Sequence, residues 1–109
     1  MLGEFEYVLI TTAAGLGENA YGVAIREEIE ATIERKCSMG ALYTTMDRLE
    51  VKGLLKSWVG EATPQRGGRG KRLVRVTPQG ELAAKEFYDA VLRVSRGASW
   101  VENRTGRTI

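Results

Sequence analysis

The chain has 109 residues, 43% of them hydrophobic and 28% charged, with a net charge of +2, no His and one Cys. This is a single domain of ordinary globular composition, without the means for a histidine base, a histidine metal site or an internal disulfide. The acidic start Met1-Leu2-Gly3-Glu4-Phe5-Glu6 does not read as a signal peptide. No run approaches the ~18 apolar residues of a membrane helix, so a cytoplasmic protein without metal or cofactor is expected.

The first element, residues 4–15, carries Phe5, Val8, Leu9, Thr12, Ala13 and Leu16 at helical spacing, with Tyr7 and Ile10 making a second apolar face. By composition Tyr7-Val8-Leu9-Ile10 fits a strand equally well. A loop at Gly15-Leu16-Gly17-Glu18-Asn19 follows, with Asn19 as the expected N-cap of a second helix over about 20–34. There Val23, Ile25, Ile29 and Ile33 are expected inside and Glu27, Glu28, Glu30 and Glu34 outside. The turn Arg35-Lys36-Cys37 leads to Ser38, the N-cap of a third helix that Gly53 ends. Two helices joined by so short a turn form a helix-turn-helix.

At about 100° per residue, Met39, Leu42, Met46 and Leu49 share the core face of the third helix. Gly40, Ala41, Thr44, Asp47, Arg48 and Val51 lie opposite, with Tyr43 and Thr45 at the boundaries. Gly40 costs about 1 kcal/mol of helix propensity, which implies a packing or contact reason for it. Two strand-like stretches, Leu54–Val59 and Leu73–Val76, flank the basic tip Gln65-Arg66-Gly67-Gly68-Arg69-Gly70-Lys71-Arg72. A helix with small and polar residues outermost, beside a hairpin with a cationic tip, suits DNA: the helix enters a major groove and the tip reaches phosphate or minor groove.

Charge is distributed in the same sense. Residues 1–34 carry one basic and seven acidic side chains, residues 35–75 ten basic and three acidic, and residues 76–109 five basic and four acidic. The cations concentrate in the middle third, as an electrostatic footprint for DNA would.

The last helix opens at Thr77-Pro78, an N-cap followed by Pro at the first helical position. Ala84, Phe87, Val91 and Val94 form a seam, with Leu82, Tyr88 and Leu92 beside it. So much apolar surface on a terminal helix is expected to join two subunits, together with the first helix. The alternative is a helix folded back on its own core. Gly97 interrupts the pattern, and the polar tail over residues 102–108 is expected to fray.

These blocks resemble the PadR family of bacterial transcriptional regulators, in its small branch with a single C-terminal helix. The matching residues are Ala20-Tyr21-Gly22-Val23-Ala24-Ile25, Ser38 to Leu49, Lys52-Gly53-Leu54-Leu55, Arg66 to Arg72 and Val76-Thr77-Pro78-Gln79-Gly80. The resemblance decides for a helix over residues 4–15. It implies a mainly α fold with a small β-hairpin: a winged helix-turn-helix over residues 1–77, a dimerisation helix over 78–96 and a flexible tail over 97–109. It further implies a homodimeric repressor on a palindromic double-stranded DNA operator, often released by a small aromatic or toxic compound, and not an enzyme. The DNA contacts it implies fall on Ser38, Gly40, Tyr43, Thr44, Arg48, Arg66, Arg69 and Lys71, and the wing's charge adds Arg72.

Each of these residues has a chemical role to fill. Thr44 and Arg48 are placed to read base edges, and Ser38 with the helix-start N–H groups suits a phosphate. Tyr43 either gives its hydroxyl to phosphate or is a boundary core residue. Asp47 orients Arg48, accepts from a cytosine, or pairs with a neighbouring cation. Lys52 and Lys56 read as solvated surface, and Arg66, Arg69, Lys71 and Arg72 as phosphate contacts. Phe87, Tyr88 and Trp100 are the candidates for stacking on a flat aromatic effector, with dimer-core packing as the alternative. Cys37 follows two cations and precedes a helix start, a setting that lowers a thiol pKa, so a redox sensor stands beside the plainer reading of a small buried side chain. A winged-helix module that binds protein and not DNA is the remaining alternative.

Overall fold

The computed structural model describes residues 1–60 and 71–101. Four helices and one hairpin follow in order: α1 (Glu4–Leu16), a 3-10 turn (Gly17–Asn19), α2 (Gly22–Ile33), α3 (Met39–Val51), β1 (Leu55–Val59), β2 (Arg72–Val76) and α4 (Pro78–Ser95). The expected contacts of Arg66 and Arg69, and the tail over 102–108, lie outside the described residues.

Helix α1 starts where Glu6 folds back to accept from the Gly3 N–H at 2.8 Å, one half of a capping box. Leu9, Ile10 and Ala13 are buried. On the adjoining side Tyr7 stacks on Phe87 of α4, with ring centroids 4.6 Å apart and planes at 22°. Both apolar faces of α1 are thus used.

Helix α2 begins later than expected. Asn19 is not its N-cap but the last residue of the 3-10 turn, and Tyr21, in extended conformation without a side-chain cap, precedes the helix. The cause is a backbone pairing across the fold: the Val74 N–H donates to the Ala20 carbonyl at 2.8 Å, and Tyr21 bridges Leu73. That pairing keeps residues 20–21 extended. Ile25 and Ile29 are buried as expected, but Val23 and Ile33 are 48% and 39% exposed. Val23 sits about 160° around the helix from Ile25, and Ile33 is the last helical residue.

Ser38 caps α3, its Oγ accepting from the Ala41 N–H at 3.1 Å. At the far end the Leu54 N–H donates to the Leu49 carbonyl and the Gly53 N–H to the Glu50 carbonyl, both at 2.9 Å. Gly53 has φ +77. This is a Schellman closure, which needs a left-handed residue and finds it in Gly53, one position past the Lys52 cap. Thr45 is buried and donates its hydroxyl to the Ala41 carbonyl at 2.9 Å.

Strands β1 and β2 pair antiparallel, with Leu55 opposite Val76 and Val59 opposite Arg72. Leu55 and Val74 reach the core, which Leu9, Ile10, Ile25, Ile29, Leu42, Met46 and Leu49 fill.

Helix α4 is fastened at its start. Thr77 Oγ1 accepts from the Gly80 N–H at 3.0 Å and donates to the Gly53 carbonyl at 2.7 Å, while the Thr77 N–H donates to the Leu54 carbonyl at 3.1 Å. A Cβ at Gly80 would overlap the Leu54 carbonyl oxygen. Ala83, Ala84 and Phe87 pack on the core. Leu82, Tyr88, Val91, Leu92 and Val94 remain exposed. The architecture is a mainly helical winged helix-turn-helix followed by a helix with an apolar outer face.

Candidate nucleic-acid interface

The turn between α2 and α3 presents the start of α3 outward. Ser38, Gly40, Ala41, Thr44, Asp47 and Arg48 are all exposed, and Leu42, Met46 and Leu49 lie on the opposite, buried side. The outer surface at Gly40 is open: a Cβ there would meet nothing within 4 Å. Packing among the described residues therefore gives no reason for glycine at this position. A contact reason stands.

Tyr43 is half-buried beside this face. Its hydroxyl lies against Gly22, where an added Cβ would stand 2.6 Å from the oxygen. The close approach of α2 and α3 depends on that missing side chain.

The base of the wing carries three cations, each over an aromatic ring. Lys71 Nζ is 3.9 Å from the Tyr21 centroid, the Arg72 guanidinium 5.5 Å from that of Tyr43, and the Arg75 guanidinium 5.7 Å from that of Trp58. Arg72 also donates through Nη2 to Asp47 Oδ1 at 2.8 Å and to Glu50 Oε2 at 3.2 Å. Its Nε donates to Ser57 Oγ at 3.1 Å, and the Ser57 hydroxyl donates to Glu50. Sequence reasoning assigned Arg72 to phosphate and left Asp47 with three partners in view. In the fold Arg72 is engaged by two carboxylates and Asp47 has a wing cation. Glu50 and Ser57 were missed altogether, because residues on α3, β1 and β2 give no local pattern that joins them.

Lys52 is exposed, as expected, but it is paired. Its Nζ donates to Glu6 Oε2 at 2.9 Å, tying the end of α3 to the first turn of α1. The Gly3 N–H, foremost, and then Lys52 hold the Glu6 carboxyl below its ordinary pKa, against the opposing effect of burial. Cys37 departs from the expected lowered pKa. It is buried, and desolvation first, then the Glu30 carboxylate, push its thiol up, with Arg26 opposing in part. Its backbone N–H donates to Glu30 at 2.7 Å. A buried thiol held in its protonated form is a poor nucleophile.

The three aromatic residues expected at an effector site are not brought together within one chain. Phe87 packs on Tyr7. Tyr88, half-exposed, lines a cleft of about 300 Å³ between α1 and α4 with Tyr7, Ile10 and Ala84. Trp100 lies past the end of α4 and is 83% exposed. Among the described residues no His, Cys, Asp and Glu cluster suits a metal ion, and no helix is long and apolar enough to cross a membrane.

Solved structures share this fold. A PadR family transcription regulator from hypervirulent Clostridium difficile superposes with a TM-score of 0.70 at 19% identity, over 86% of this chain and 93% of its own. A padr family transcriptional regulator from Eggerthella lenta gives 0.67 at 25% identity, over 86% and 81%. A winged-helix DNA-binding protein from STIV gives 0.68 at 20% identity, over 89% and 97%. No curated protein matches the chain. The family model described as "Transcriptional regulator PadR-like family" matches residues 14–86, from the end of α1 to the middle of α4. That span holds the helix-turn-helix, the wing and the fastening of α4, and the chain belongs to this family of transcription regulators, which are not enzymes.

Proposed function

We propose that the chain is a sequence-specific DNA-binding repressor, working as a homodimer on a palindromic operator in the cytoplasm. The exposed, small-residue start of α3, with open space at Gly40, carries this reading. A major groove accepts a helix whose leading residues are small enough for backbone approach. Ser38 and the N–H groups at the helix start meet phosphate, Thr44 and Arg48 meet base edges, and Arg66, Arg69 and Lys71 of the wing meet phosphate. The protein from STIV that shares this fold is itself a winged-helix DNA-binding protein, which supports DNA as the partner.

The exposed Leu82, Tyr88, Val91, Leu92 and Val94 of α4 support the dimer. An apolar stripe of this length, turned away from the chain's own core, is suited to cover by a second copy, as in a helical seam. Release by a flat aromatic compound rests on the exposed Tyr88 and Trp100, with the partly buried Phe87 beside Tyr88 on α4. Planar cationic dyes titrated against tryptophan fluorescence, with Trp100→Ala as control, test it: loss of operator binding with Trp100-dependent quenching is expected.

Affinity selection of random duplex DNA by the purified protein tests the main reading. A palindromic consensus is expected. Arg48→Ala then relaxes base preference at one position per half-site, while Arg69→Ala weakens binding to all sequences. Recovery of no consensus, with both variants behaving as the parent, leaves the protein-binding alternative.

A further inference from the structure

We propose that Arg72 is a positioning residue of the DNA interface and not a phosphate ligand: it pins the returning wing strand to the reading helix and masks Asp47 and Glu50. The proposal rests on the DNA-binding reading above. Arg72 opens β2, opposite Val59 at the end of the ladder nearest the wing tip. Its guanidinium joins three elements there, reaching Asp47 and Glu50 on α3 and Ser57 on β1. Its side chain is 24% exposed, less than those of Glu50 at 31% and Asp47 at 64%.

Asp47 lies on the exposed face of α3, about 60° around the helix from Thr44 on the side away from Arg48. Left alone, its carboxylate would repel the phosphates that the same face is built to approach. With Arg72 on it, the repulsion is reduced, and three of the five guanidinium N–H groups are already given to protein acceptors. The planar fork of arginine suits this task, since it serves separate acceptors in one plane, as a lysine ammonium on a flexible stem does not. The Tyr43 ring beneath the guanidinium adds a further constraint on where it sits. The wing and the reading helix, which must meet DNA together, are thereby held in one relative orientation.

The test uses the full chain and its selected operator duplex over a series of salt concentrations. Arg72→Lys keeps the charge but loses the fork. Affinity is expected to fall about tenfold, the loss of roughly one charged hydrogen bond, with the salt slope unchanged and the thermal transition retained. The triple variant Arg72→Gln, Asp47→Asn, Glu50→Gln replaces the charged cluster by a neutral hydrogen-bonding one of similar shape. Positioning predicts affinity within a few-fold of the parent and the parental slope. A phosphate-binding Arg72 predicts instead that Arg72→Lys binds as the parent does. It also predicts that the triple variant loses about two units of slope per dimer, one released counterion per subunit. Either of those two results overturns the proposal. A parent that shows no salt-dependent duplex binding overturns the DNA-binding reading itself, which separates the two failures.

Discussion

Gly40 is the residue at which stability and the proposed function pull apart. It is the second residue of α3, where glycine costs part of the about 0.5–1 kcal/mol it costs in a helix interior relative to alanine, and nothing among the described residues occupies the space a Cβ would take. Gly40→Ala should therefore stabilise the free protein by roughly 0.5 kcal/mol, seen as a raised thermal midpoint. On the proposed docking it should also weaken operator binding, because the added methyl would stand between the helix start and the groove. A variant that is more stable and binds as before would remove Gly40 from the interface. Tyr43 and Gly22 show the complementary case, where a missing side chain is required by packing: the tyrosine hydroxyl occupies the place a Cβ would need.

Between elements, the pair Glu6–Lys52 is the most informative contact. It joins α1 to the end of α3, and the Glu6 side chain is 9% exposed. The folded protein holds the Glu6 pKa below its ordinary value of 4.5. A carboxyl with a lowered folded pKa stabilises the fold fully above its unfolded pKa and loses that contribution as pH falls through the folded value. Stability should drop as the solution is acidified below about pH 4.5, and Glu6→Gln should flatten part of that drop while lowering stability near neutrality. Thermal melts across pH for the two proteins check this. An unchanged acid profile in Glu6→Gln would show that other carboxylates set it.

The elements themselves were largely legible in the residues. Ser38, Gly53 and Thr77-Pro78 mark helix ends by local chemistry, and local chemistry is present in a sequence. The start of α2 was not legible, because Ala20 and Tyr21 are kept extended by pairing with β2, some fifty residues away. Burial of Val23 was overestimated because apolar character was counted without its angle around the helix, and that of Ile33 because the helix ends there. In the candidate site, the exposed face of α3 followed from periodicity. The engagement of Arg72 with Asp47, Glu50 and Ser57 did not, since three elements must assemble before those four residues meet.

At the scale of the molecule, the exposed apolar face of α4 sets the expected assembly. Sedimentation at micromolar concentration should give about twice 12.0 kDa. If each subunit neutralises about three phosphates, log affinity should fall against log salt with a slope near −5. A monomer that binds a palindromic site tightly, or a slope near −2, would require a different docking.

The fastening of α4 has a mechanical consequence. Thr77 and Gly80 clamp the helix to the same turn that terminates α3, and Ala83, Ala84 and Phe87 seat its next turns on the core, so α4 is a lever whose free arm starts past Phe87. That arm runs to Ser95 and is about 12 Å long, and a tilt of about 10° at its root carries the far end through about 2 Å. The seated half of α4 is joined to the close of α3 by the Thr77 clamp, with no flexible hinge between them. In the proposed dimer, whatever grips the distal half of α4 would set the pitch at which the two copies of α3 are held.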